Sequence, residues 1–339
     1  MKSKVNSLIY ITLSLFSIVC LLHFFGEGKI LFKKIEQVSL IYFLPQFIFI
    51  FCANIINSYL SVFLIQHFGL KLSWREWLPL GFVNSLSNLI FPAKTGTMIK
   101  AVYLKIKYNF AITRNFSLLL FTTFITYLNL FFLTGILLLF LHMFSEKSVS
   151  DVNKLLPNLL VPFFDLLMIS MFVMTAIGIA ILITMRFTRL SNYSFQGALA
   201  KKIMKLTVSL IEGSIQLSSS PLVVVRIFIC TSLNYFIRFG MLYWGFLAVN
   251  TQLSISQLIF INLFFSLQTI VSLVPGNIGI QEVLITISSG VIGANFSDGL
   301  IVAAIIRITS LVEIFLFGFA SYKFLNIGSF LHQALPKDK

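Results

Sequence analysis

Charge is what this chain has least of. Only 11% of its 339 residues are charged, with 11 Asp and Glu set against 25 Lys and Arg, where ordinary soluble domains carry roughly a quarter. That scarcity excludes a soluble globular protein of this length. Cysteine is scarce too: Cys20, Cys52 and Cys230 all fall inside apolar runs, without metal-like spacing, which excludes a disulfide scaffold or a thiolate metal centre. The four histidines, His23, His67, His142 and His332, stand singly near the ends of apolar runs, so none is assigned a catalytic role. No phosphate loop, metal-ligand cluster or Ser, His and Asp constellation is present, and neither an enzymatic activity nor a cofactor is expected.

What is abundant is apolar surface. Hydrophobic residues make up 58% of the chain, 38 of them phenylalanine, the composition of a polytopic membrane protein. The net charge of +14 does not indicate nucleic acid, because the basic residues sit in short loops between apolar runs, where membrane topology requires them. Near the N-terminus an apolar run from Leu8 to Phe25 follows Lys2 and Lys4. No small-residue cleavage site follows it, so it is an uncleaved first span.

A bilayer core of roughly 30 Å needs about 20 apolar residues per helix. Six stretches qualify: about 8–25, 40–66, 116–144, 157–185, 221–250 and 297–322. Two further runs are shorter and end at proline, Leu78 to Phe91 before Pro92 and Leu258 to Val274 before Pro275. Both suit broken or re-entrant segments, which are tolerated where backbone is buried or lines a cavity. The fold class is therefore all-α, with about six full spans plus two opposed broken segments in an inverted repeat, or eight spans if those segments cross.

Charge orients this arrangement. With the N-terminus inside, seventeen Lys and Arg fall on the inner side and five, Lys29, Lys33, Lys34, Lys147 and Lys154, on the outer. That asymmetry places both termini in the cytoplasm of a multi-pass protein of the cell membrane. Residues 1–325 form a single integral membrane domain, with halves of about 1–185 and 221–325 joined by a basic loop, 186–220, and followed by a short cytoplasmic tail, 326–339. The loop mixes Arg189, Lys201, Lys202 and Lys205 with Leu199, Ile203 and Leu206. It fits either a basic amphipathic segment on the anionic inner leaflet or a plain topogenic anchor.

The two proline-terminated runs resemble each other. Placing Pro92 over Pro275 also aligns Gly96 with Gly279, Phe82 with Phe265 and Leu80 with Leu263. Three full spans separate the motifs, so they enter from opposite sides, the pattern that marks a transporter-like site near the midplane. Proline ends an incoming helix, and Gly276, Gly279 and Gly96 permit close backbone approach. Asn277 is a candidate cap for the outgoing half-helix, as is Thr95 in the first motif, and the free amides beyond suit an anion, a lipid phosphate above all. The alternative is a tight buried turn with no ligand.

The run N-L-I-F-P-A-K-T-G-T-M-I-K from Asn88 to Lys100, with P-G-N-I-G-I-Q-E from Pro275 to Glu282 and Arg307 in the following span, resembles the flippase-like domain family. That family includes the transmembrane region of lysylphosphatidylglycerol synthases. The resemblance implies an integral membrane domain that moves or presents a lipid or a polyprenyl-linked intermediate across the bilayer. Two positions depart from the family pattern: Lys100 stands where arginine is usual, and Asn277 where the second glycine of P-G-G-x-G is more common. The synthase members also carry a large cytoplasmic aminoacyl-transfer domain, whereas this sequence stops at Lys339, about seventeen residues past the last span. Aminoacylation of lipid is not expected of it.

Charges inside a membrane are costly and mark function by default. Arg307 lies mid-span and is expected to pair with Glu282 at rest, releasing its guanidinium to grip a phosphate; the alternative role of Glu282 is capping its half-helix. Glu313, six residues after Arg307, projects from a different side. Arg238 either lines the same cavity or pairs with Glu313. Arg226 snorkels, Asp165 suits a helix start, and Lys94 and Lys100 sit at the cytoplasmic mouth as headgroup recruiters or topogenic charges. Asn84 and Asn88, one turn apart, satisfy broken backbone or touch a headgroup. Three functions fit: a flippase for an anionic phospholipid or polyprenyl-phosphate-linked glycan, a secondary transporter of a small anion, or a noncatalytic membrane partner of a glycan or lipid assembly enzyme.

Overall fold

The computed structural model describes residues 38, 40–91, 96–144, 169–170, 172–178, 180, 198–268 and 275–328. Every element it places there is helical: α1 (Phe43–His67), α2 (Trp74–Ile90), α3 (Thr97–Tyr108), α4 (Ile112–Phe144), α5 (Ala198–Ser218), α6 (Pro221–Ala248), α7 (Ile255–Leu267), α8 (Ile280–Val291) and α9 (Phe296–Phe324). A helix pairs all its backbone groups within itself, which is what lipid demands. Among the described residues, four helices are long and apolar enough to cross a membrane, namely α1, α4 over Ile112–Leu137, α6 and α9. The expected spans at 8–25 and, for the most part, 157–185 lie outside the described residues.

Each short apolar run proves to be the first arm of a helix pair. In the first pair, α2 ends at Ile90 and α3 begins at Thr97; in the second, α7 ends at Leu267 and α8 begins at Ile280. α3, the outgoing arm after the first motif, buries Ala101, Tyr103 and Leu104 and stops at Asn109, whose φ of 53° is a left-handed cap. α7 starts on a capping box, Ser254 accepting from the Gln257 amide while the Gln257 side chain accepts from the Ser254 amide.

Two of the four aligned pairs share one environment. Leu80 and Leu263 are 2% and 3% exposed, and Phe82 and Phe265 are each 3% exposed. α9 packs on α2, α8 and α1, while α6 packs on α1, α4 and α7. The second break meets the end of α2: the 3-10 turn Pro275–Asn277 lies against α2, with Leu89 beside Gly276.

Within the expected basic connection, 198–218 is a helix. Its second half packs on α4, where Ser117 donates to the Leu210 carbonyl at 3.0 Å and Leu217 is fully buried. Gly213 permits the approach, since a Cβ there would stand 2.4 Å from the Ser117 hydroxyl.

Candidate functional site

The second break is closed by its own side chains. Arg307 on α9 donates from Nε to Glu282 Oε1 at 2.7 Å and from Nη2 to Oε2 at 3.3 Å, so the expected pair is formed. The same guanidinium also donates to the carbonyls of Gly276 at 2.7 Å and Asn277 at 3.1 Å. Gly276 and Asn277 both hold positive φ, 58° and 54°; this left-handed turn exposes two carbonyls that no helix satisfies, and Arg307 satisfies them.

Asn277 does not cap the outgoing half-helix. The cap of α8 is Gly279, with φ 85°, and its N–H donates to Glu282 Oε2 at 2.8 Å. The Asn277 amide turns the other way and donates to the Gln268 carbonyl at 3.2 Å, tying the end of α7 to the break. The anion that this helix start attracts is thus Glu282, three residues inside it. Capping and ion pairing, weighed as alternatives for Glu282, both hold. Pro275 opens the turn.

At the first break, Gly96 is indispensable by contact: a Cβ there would stand 2.3 Å from the Ser87 carbonyl carbon and 2.4 Å from the Asn88 nitrogen. Asn88 sits beside it with its side-chain oxygen buried and unpaired. Pro92, Lys94 and Thr95 lie outside the described residues.

Lys100 lies on a helix. It occupies the first turn of α3, about 12 Å from the Tyr108 end at 1.5 Å per residue, and its Nζ donates to Ser61 Oγ on α1 at 2.8 Å. It lines a cavity of about 150 Å³ between α1, α2, α3 and α4, together with Asn57, Ser61, Asn84 and Asn115. Asn115 is 8% exposed with neither side-chain polar atom paired, and the Asn84 oxygen is unpaired as well. No carboxylate among the described residues stands within ion-pair distance of Lys100.

Arg238 does not pair with Glu313. Its guanidinium lies 6.0 Å from the Phe265 ring centre, lining a second cavity of about 90 Å³ with Asn57, Thr122, Thr126, Asn129 and Asn234. Glu313, fully buried, accepts instead from Asn54 at 2.9 Å, and the Asn54 oxygen accepts from Ser85. Arg226 lies 4.2 Å over the Phe63 ring and donates to the Tyr59 hydroxyl at 3.3 Å.

Asn57, Ser61, Asn115, Thr122 and Asn129 were not singled out from sequence, although a signal existed. Asn115, Thr122, Thr126 and Asn129 follow an i, i+7, i+11, i+14 spacing on an apolar helix, which confines them to roughly 60° of one face.

No curated protein and no solved structure matches the chain. The family described as lysylphosphatidylglycerol synthase TM region matches residues 8–318, well over half of the 339. A membrane-embedded helical bundle, two broken helix pairs meeting at Leu89 and Gly276, and a carboxylate–guanidinium clamp are what this sequence builds, and the chain belongs to that family.

Proposed function

We propose that this protein moves or presents an anionic lipid across the cell membrane, either a phospholipid or a polyprenyl-phosphate-linked glycan intermediate, with both termini cytoplasmic and no bond-making chemistry of its own. One observation carries the proposal. A lysine with no carboxylate partner among the described residues shares a cavity between α1, α2, α3 and α4 with an asparagine whose amide is buried and unpaired. Burying such groups is costly, and an anionic headgroup would satisfy both. The two broken pairs support an inverted repeat with re-entrant or crossing arms, since Leu80 and Phe82 share the burial of Leu263 and Phe265 and the second break touches the end of α2.

The saturation of Arg307 supports a second proposal, that of a noncatalytic membrane partner to an assembly enzyme, because a guanidinium bonded to Glu282 and two carbonyls is structural as it stands. Reconstituted vesicles containing headgroup-labelled phosphatidylglycerol decide between them. Protein-dependent exposure of the inner-leaflet label to an impermeant quencher is expected of the first; equal exposure in protein-free vesicles would sink it.

A further inference from the structure

The two cavities adjoin. Asn57 and Leu60 of α1 and Thr122 of α4 line both, and the polar stripe of α4 runs from Asn115 to Asn129, about 21 Å along the helix at 1.5 Å per residue. That distance is roughly two-thirds of a bilayer core. Lys100 stands beside one end of the stripe and Arg238 beside the other. Between them Thr122 and Thr126 return their hydroxyls to the carbonyls of Leu118 and Thr122, each at 2.7 Å, so the middle of the stripe is satisfied when empty. The ends are not equivalent. Asn129 is saturated by the Phe228 carbonyl, Thr231 and Ser232, whereas Asn115 at the Lys100 end has no partner for either amide atom.

The geometry points to a phosphate-anion site formed by Lys100, Ser61 and Asn115, continued along the α4 stripe to Arg238, so that the headgroup passes between two cations while Arg307 holds the second break shut. An ammonium on a flexible stem and a carboxamide N–H both donate to a phosphate oxygen. The Ser61 hydroxyl, which now accepts from Lys100, donates its own proton to the same anion. Neither cation has a carboxylate partner among the described residues, unlike Arg307. Two sources of the anion share this chemistry, a phospholipid headgroup and free phosphate.

This inference rests on the proposal of anionic lipid handling, and the experiment separates the two. The full-length protein in phosphatidylcholine nanodiscs is titrated with dihexanoyl phosphatidylglycerol and, separately, with inorganic phosphate. Lys100→Gln is expected to raise the dissociation constant about tenfold or more, the worth of one charge-assisted hydrogen bond, while Lys100→Arg stays near wild type. Asn115→Leu is the decisive variant. It removes an unpaired buried amide, so the protein should fold and melt higher than wild type while also losing about tenfold in affinity, a combination that a merely structural asparagine does not give. Arg238→Gln should bind like wild type but slow headgroup transfer in vesicles. Binding of the lipid alone identifies a headgroup site, and competition by phosphate a free-anion site; both support the assignment. Wild-type affinity in Lys100→Gln and Asn115→Leu overturns it. If those variants lose binding yet wild type moves no lipid, the site stands and the translocation proposal falls; if lipid moves and the variants bind normally, the reverse holds.

Discussion

Arg307 illustrates how much a single side chain does when it is buried with several acceptors. It joins α9 to the first turn of α8 and to two carbonyls of the turn before it. Removing the carboxylate leaves a guanidinium buried against carbonyls alone. Glu282→Ala should therefore cost about 3–5 kcal/mol, read as a lowered melting temperature in detergent. Arg307→Lys keeps the charge but loses the planar fork, and should cost about 2 kcal/mol or more because at least one turn carbonyl loses its donor. If both variants melt like wild type, the clamp is ornamental. Glu313 behaves oppositely. Fully buried, with Asn54 as its hydrogen-bond donor, it uses an oxygen that glutamine also supplies. Glu313→Gln should unfold within about 1 kcal/mol of wild type or be more stable, while Glu313→Ala, which strands the Asn54 amide, should not.

At the scale of elements, two devices hold the broken pairs. The open ends of α2 and α3 are pinned by Glu76, which accepts from Lys107 and from the Tyr108 hydroxyl at 2.6 Å. Burial pushes the Glu76 carboxyl up, but the hydrogen bonds from Lys107 and Tyr108 and the Lys107 charge outweigh it, so the group sits below its ordinary range; the Tyr108 phenol, pushed up by burial and by Glu76 to about 12, stays a donor throughout. A carboxyl held low contributes stability above its unfolded value, about 4.3, and loses it as pH falls through the lower folded value. The melting-temperature gap between wild type and Glu76→Gln should thus be largest near neutrality, worth about 1 kcal/mol at most on so exposed a pair, and close below about pH 4. At the deep ends the device is glycine. Gly96→Ala drives a Cβ into the Ser87 and Asn88 backbone at 2.3–2.4 Å, which no rotamer relieves, and should cost more than about 3 kcal/mol. The P-x-x-x-G spacing made both breaks and the glycine need legible, and the Glu282 and Arg307 pair with them. What sequence did not show was direction: Asn277 reads as a cap until its amide is seen to reach back to the Gln268 carbonyl, and nothing in the spacing of Lys100 shows that it turns to Ser61 on α1. The polar stripe of α4 was periodic but diluted by phenylalanine and leucine, so no window average reveals it.

For the whole molecule the consequential contact is between the end of α2 and the second break. Leu89 Cα stands 3.7 Å from where a Cβ on residue 276 would lie, and the Leu89 side chain fills that spot at 2.6 Å. This is within reach of a disulfide, whose Cα atoms stand about 4.4–6.8 Å apart. A Leu89→Cys, Gly276→Cys pair, with Cys20, Cys52 and Cys230 replaced by serine, should cross-link under mild oxidation despite about 1–2 kcal/mol of strain from the positive φ at 276. The bond ties the tip of α2 to the turn that Arg307 clamps, so α2 and α9 can no longer separate at that level. If lipid passage requires the halves to move apart, headgroup transfer in vesicles should fall to the protein-free rate in the oxidised form and return on adding reductant. Dihexanoyl phosphatidylglycerol binding at Lys100, whose cavity neither Leu89 nor Gly276 lines, should persist in both forms. Transfer at the full rate through a quantitatively cross-linked protein would show that the breaks are a fixed hub, and that the headgroup moves along the α4 stripe while the hub stays closed.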